Sequence, residues 1–213
     1  MKKYFFSLFF LALAALACNF GGNTASENIA DDQPYSTDFS GNTSDWETTH
    51  YPDDSLREVQ DGMYRIFVNR DGGMVSVLGY ERFRYSGDVQ IEVEVSRVEG
   101  PASSLFGILC RYTLTGEDQA DFYALHISPT GFGEIFKISN GNYKSLGHQD
   151  VNFNKNATNT LRAECVGDTL TLYVNGEEII SVKDNELKGG YVGLLVTGKG
   201  SDVYFDNFSV TVP

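Results

Sequence analysis

The chain has 213 residues, 41% of them apolar and 13% aromatic, and carries 16 basic against 29 acidic side chains for a formal net charge of −13. That balance excludes a partner held through a phosphate backbone or an anionic lipid surface, since such binding is driven by clustered Lys and Arg. The length exceeds what the folded part needs, and the surplus lies at the N-terminus.

The first residues, MKKYFFSLFFLALAALAC, place Lys2 and Lys3 before an uncharged run from Tyr4 to Ala17, then Cys18. A short charged region, an apolar region and a small residue before a cut make an export signal. The run is shorter than the roughly 20 apolar residues of a spanning helix. The ALAC ending resembles a bacterial lipobox, with Ala17 as the small residue before the cysteine and Ala15 where leucine is commoner. The resemblance implies cleavage after residue 17 and acylation of Cys18. Each buried lipid CH₂ contributes about 0.8 kcal/mol, so several chains on one residue hold a protein to a membrane durably. Residues 18–35 are small, polar and acidic and read as a flexible tether. The expected folded domain is 36–213.

Beyond residue 35 the apolar residues alternate. Val89, Ile91, Val93 and Val95 share one face of DVQIEVEVS, with Gln90, Glu92, Glu94 and Ser96 on the other. Leu170, Leu172 and Val174 do the same in LTLYV. Period two is the mark of a half-buried strand. Asn175-Gly176 and Gly167-Asp168 supply two-residue hairpin turns. Strands are predicted near 63–69, 74–80, 88–98, 105–113, 121–128, 132–138, 160–166, 169–174, 177–182, 190–197 and 202–212. That many short strands separated by turns imply an all-β fold of two packed antiparallel sheets.

Cys110 shares its strand face with Phe106 and Ile108, and Cys165 with Leu161 and Ala163, so both are expected in the core. An exported protein meets oxidising conditions. With Cys18 lipidated, Cys110 and Cys165 are the pair left to form a disulfide; the alternative is two buried free thiols packed as small apolar residues.

The C-terminal stretches TLTLYVNGEEIISV, GGYVGLLVTG and VYFDNFSV resemble the concanavalin A-like jelly-roll superfamily. They look most like the laminin-G-like and keto-disaccharide hydrolase-like (family-1080) domains of secreted bacterial proteins. TDFSGNTSDWE resembles the first strand of such domains, which pairs with the last. The resemblance implies a jelly-roll sandwich over about 36–212. It does not transfer an activity, because the fold hosts lectins, glycosidases and interaction modules alike. The Glu-x-Asp-x-x-Glu strand of the laminarinase-like glycosidases has no counterpart here: Glu92 and Glu94 come nearest, with Arg97 where the last glutamate would fall. No catalytic residue is therefore assigned.

Candidate ligand-binding residues follow from the same alternation. With Cys110 inward, Arg111 faces out; with Tyr123, Leu125 and Ile127 inward, His126 faces out. Lys137 joins them on one reading of GEIFKIS, and Tyr143 in the loop NGNYKSLG caps the group. Tyr112 is a candidate only if the strand register differs. Cations and rings gathered on a sheet face suit a glycan or uronate; the alternative is a solvated sheet surface. The resemblance also implies a structural calcium held by Asp38 and Asp206, against the alternative that each aspartate caps a turn or bulge. Trp46 is expected to pack over a sandwich end. The expected whole is an exported bacterial lipoprotein, anchored with its domain outside the cytoplasm, whose sandwich binds an extracellular glycan. A glycoside-processing enzyme of the keto-disaccharide hydrolase type, or a structural module of the envelope, are the alternatives.

Overall fold

The computed structural model describes residues 30–79, 82–116, 119–154 and 156–213. Cys18, the cleavage point and most of the tether lie outside these. Every described element is a strand. In chain order they are β1 (Ala30–Asp31), β2 (Tyr35–Thr37), β3 (Thr49–His50), β4 (Leu56–Gln60), β5 (Met63–Val68) and β6 (Gly73–Val77). There follow β7 (Phe83–Arg84), β8 (Val89–Glu99), β9 (Leu105–Leu114), β10 (Ala120–Ile127), β11 (Phe132–Ser139) and β12 (Asn142–Asp150). The last five are β13 (Asn159–Val166), β14 (Thr169–Val174), β15 (Glu177–Lys183), β16 (Tyr191–Thr197) and β17 (Ser201–Thr211).

Two antiparallel sheets stack. The six-stranded sheet runs β12-β11-β10-β9-β16-β6, and the nine-stranded sheet runs β15-β14-β13-β8-β17-β5-β4-β3 with β2 also on β17. The short β1 and β7 pair in parallel apart from both. The eleven predicted strands are all present, ten within one residue of their expected ends, while β6 stops at Val77, three residues short of its expected end at 80. The expected pairing of the first jelly-roll strand with the last is β2 on β17, with Thr37 opposite Phe208. The turn at Asn175-Gly176 takes φ angles of 53° and 82°, as a two-residue hairpin needs.

The alternation becomes the core. Ile66, Ile91, Leu161 and Phe205 from one sheet meet Phe106, Ile108, Leu125 and Val196 from the other, all buried. Each such side chain contributes about 1.5–3 kcal/mol on leaving water. Trp46 is 3% exposed. Its ring meets Phe39 and Phe208 edge-on, and its Nε1 donates to the Tyr35 hydroxyl at 3.2 Å. Cys110 on β9 and Cys165 on β13 are bonded across the two layers, with Cα atoms 6.8 Å apart. The disulfide reading is therefore the correct one of the two.

Candidate functional site

The outer face of the six-stranded sheet is not the solvated surface that alternation alone would place there. A second apolar cluster sits on it: Leu109, Ala124, Phe136 and Leu195, with Val75, Tyr112, Phe122 and Ile138 packed against them. The rings run in a chain. Tyr112 stacks on Phe122 with centroids 5.9 Å apart, Phe122 meets Phe136 edge-on at 6.0 Å, and Phe136 meets Tyr143 at 5.1 Å. Tyr143 is 58% exposed. Three hollows join along this face by shared walls. One, of about 630 Å³, lies beside β6 among Asp45, Glu47, Arg57, Arg82 and Tyr112. The next shares Tyr112 and Leu114 with it and adds Phe122 and Ile138; the third continues from those to Phe136, Tyr143 and Leu195. The result is a trough across the strands with an aromatic floor. Beside His126, a Cβ on Gly107 would stand 2.3 Å from the Leu125 carbonyl oxygen, so only glycine lets β9 and β10 approach this closely.

Polar groups stand at two places. Beside β6, Arg57 pairs with Glu47 at 2.6 Å and donates to the Val75 carbonyl at 2.8 Å, while Arg82 pairs with Asp45. At the other end, the Tyr143 hydroxyl donates to Glu134 Oε1 at 2.5 Å, and Glu134 Oε2 lies 3.4 Å from His126 Nε2. Register explains the cluster: Glu134 of β11 is directly opposite His126 of β10 and His148 of β12. His126 is fully buried against Phe136, and neither ring nitrogen has a hydrogen-bond partner. Burial pushes its pKa down to about 4, so the ring is neutral at physiological pH. Desolvation first, then the bond to Glu134, pushes the Tyr143 hydroxyl up to about 12. Glu134 and the Tyr143 hydroxyl can accept and donate hydrogen bonds to hydroxyls, while His126 packs beneath them.

Of the predicted site residues, His126 and Tyr143 come together on this face. Arg111 and Lys137 do not, and their expected outward orientation is corrected. Arg111 points between the sheets and is 3% exposed; its guanidinium donates to the carbonyls of Gly167 (2.8 Å), Leu187 (3.0 Å) and Cys165 (3.4 Å). The cause is a bulge: Arg111 has a φ of 54°, and the β9–β10 register shifts there. The same bulge turns Tyr112 outward. Lys137 shares the inward face with Ile135, and its Nζ bonds Asp184 at 2.6 Å and also Glu186. Glu134, Phe122 and Phe136 carry the site and were not singled out. The signal for Phe122 is present, since it alternates with Tyr123, Leu125 and Ile127, which read as inward; GEIFKIS leaves the facing of Phe136 open.

Asp38 follows β2 and Asp206 lies on its partner β17, but the two do not fit the expected calcium. Asp38 Oδ1 accepts the backbone and side chain of Ser40, and Asp206 Oδ1 accepts the amide of Asn207 at a bulge. Among the described residues no group of three or more His, Cys, Asp or Glu could hold a metal ion.

Residues 34–211 match the model of the 3-keto-alpha-glucoside-1,2-lyase-like domain. The chain belongs to that family. Solved structures share the lyase-like domain's fold at low identity. The carbohydrate-binding module CBM66 from Bacillus subtilis is similar with a TM-score of 0.63 and 16% identity, over 78% of this chain and 95% of that one. The Bacillus licheniformis beta-glucanase is similar at 0.63 and 11%, over 84% and 98%. A Bacillus subtilis protein of unknown function with a galectin-like fold is similar at 0.61 and 13%, over 84% and 94%. No curated protein matches the sequence. The concanavalin A-like sandwich implied by VYFDNFSV and its neighbours is thus the fold of the lyase-like domain.

Proposed function

We propose that the chain is an exported bacterial lipoprotein, acylated at Cys18, whose lyase-like domain binds an extracellular carbohydrate along the outer face of its six-stranded sheet. The observation that carries the binding reading is the ring chain Tyr112–Phe122–Phe136–Tyr143 on the floor of an open trough. Flat rings suit the apolar face of a pyranose, since each offers a large, rigid apolar surface to bury. Glu134 and the Tyr143 hydroxyl supply hydrogen bonds at one end. The likeness in fold to a carbohydrate-binding module and a beta-glucanase, and the family's name, support a carbohydrate ligand. The charged lysine and arginine first expected on this face point inward, so the uronate variant of the reading loses its cations.

A glycan array probed with the intact domain tests the proposal. Binding to one class of glycan, reduced at least about tenfold in Tyr143→Ala and Tyr112→Ala, is the expected result. Binding that ignores both substitutions would remove this face from consideration. Acylation is tested by mass spectrometry of the protein isolated from its host: a mature N-terminus at Cys18 carrying fatty chains is expected, and an unmodified, water-soluble product overturns the anchor.

One observation favours a second reading, glycoside processing. Glu134 lies beside the buried His126 and is held by Tyr143, which places a carboxylate at the edge of the trough, within reach of a bound glycoside. Turnover of 3-keto-glycosides by the wild type and its loss in Glu134→Gln would establish it; equal turnover by the two would dismiss it.

A further inference from the structure

Strand β9 begins as its sequence predicts, with Phe106, Ile108 and Cys110 inward and Leu109 on the outer cluster. At Arg111 the count fails. Against β10, Cys110 faces Tyr123 and Thr113 faces Asp121, so three steps on β9 match two on its neighbour. Against β16, Leu109 faces Gly193 and Tyr112 faces Tyr191, again three steps to two. Both ladders place one extra residue in the same short segment of β9, and the positive φ of Arg111 marks it as the inserted one.

Arg111 is an unusual residue for a left-handed backbone conformation. What holds it there is its side chain. The guanidinium reaches across the sandwich to the carbonyls of Cys165 on β13 and Gly167 in the turn after it, and to Leu187 on the segment before β16. Asp88 stands 3.9 Å away, and the Tyr123 ring lies under the guanidinium at 5.9 Å. The disulfide at Cys110 fixes the strand one residue earlier. The inserted residue therefore cannot slide outward without giving up a buried set of charge-assisted hydrogen bonds.

The consequence falls on the next residue. Unbroken alternation would put Arg111 on the outer face and Tyr112 in the core. The bulge reverses both, removing a cation from the trough and supplying the ring that stacks on Phe122. We propose that Arg111 is a positioning residue of the ligand platform: anchored between the sheets, it sustains the bulge that turns Tyr112 into the trough, and so governs ligand affinity without touching the ligand. This rests on the binding reading above for its effect on affinity, but not for its geometry.

The geometry is tested without ligand. In the full chain, Tyr112→Trp introduces a reporter beside Trp46, which is buried and shielded from quencher. Acrylamide should quench the new tryptophan in the Tyr112→Trp background. Adding Arg111→Val, whose β-branched side chain can neither hold the positive φ nor reach the carbonyls, should reduce quenching to the level of Trp46 alone. Deleting residue 111 should instead leave the reporter quenchable, because a strand without the inserted residue alternates with position 112 outward. Simple loss of stability would not separate these two variants in that direction. A reporter that stays quenchable with Arg111→Val, or that becomes shielded on deletion, overturns the proposal; where the valine variant does not fold, the deletion alone decides. Titration with a soluble β-glucan forms a separate arm. Arg111→Val should weaken binding by the same factor as Tyr112→Ala, about tenfold. If Tyr112→Ala binds the glucan as the wild type does, the effect on affinity is overturned and the platform reading fails with it, while the quenching result still reports on the bulge.

Discussion

The hydroxyl of Tyr123 donates to the carboxylate of Asp184 at 2.5 Å, tying the six-stranded sheet to the segment that follows β15 in the other. The same hydroxyl accepts the amide of Leu187 at 3.0 Å. Lys137 joins from β11, bonding Asp184 and Glu186, and Ser139 also donates to Glu186. These partners hold the Asp184 and Glu186 carboxyls below their ordinary values, against a burial effect that opposes them at Asp184.

Lys137 is therefore a structural residue. Lys137→Met should destabilise the domain by about 3 kcal/mol, because Asp184 is left with its charge half-buried and one partner fewer. Urea denaturation measures it, and an unchanged midpoint would contradict the assignment. Ligand affinity, read on the surviving folded fraction, should stay within a factor of about two, since Lys137 faces away from the trough.

His126 makes stability depend on pH with a definite sign. Its folded pKa of about 4 lies below the ordinary 6.5, so the unfolded chain binds the proton first. The stabilisation is complete above pH 6.5 and falls as pH drops from 6.5 to 4, by about 3 kcal/mol over that window. Below pH 4 both states carry the proton and this contribution changes no further. Unfolding free energies measured from pH 7 to 4 should show that slope in the wild type and lose most of it in His126→Gln. Parallel curves would show that the ring does not titrate as its burial requires.

The strands were legible because one physical condition, a face buried against a second layer, stamps period two on them. Strands without that condition were missed. β12, NYKSLGHQD, is exposed along most of its length and pairs only with β11, so no apolar repeat was imposed on it and it reads as a loop. β4 is half-buried at every position and has no alternation either. The site was legible in part. His126 falls on the expected face because β10 alternates without interruption from Tyr123 to Ile127 against both neighbours, the inserted residue lying on β9 instead. Arg111 was placed on the wrong face because an inserted residue leaves the composition of a strand unchanged while inverting everything after it. Lys137 could not be assigned, since its inward position is fixed by Asp184 and Glu186 some 47 and 49 residues later.

The disulfide gives a third prediction. Cys110 and Cys165 are fully buried and close a loop with a sequence separation of 55. Replacing both with alanine should lower stability by about 2–4 kcal/mol. Mass spectrometry of the native protein should find neither thiol alkylated before reduction and unfolding, and both afterwards.

Chelation gives a fourth. Since Asp38 and Asp206 are occupied with backbone amides, the melting temperature should not move on adding EDTA. Asp38→Ala should lower the melting temperature only slightly, because the hydrogen bonds that order its turn are exposed to water. A melting temperature that falls with EDTA and recovers with calcium would restore the metal.

The free margins of the two sheets carry one more consequence. β12 and β15 each pair on one side only, and they meet where Val182 packs against Gly147. Lys144, His148 and Asp150 stud the first margin, Glu177, Glu178 and Lys183 the second, and the register of β12 slips beside Phe136. An open row of amides and carbonyls invites a neighbouring copy to extend the sheet, and mixed charge with an irregular ladder discourages it. Along these two edges, copies of this domain can therefore crowd together without extending one another's sheets, provided those charges are kept.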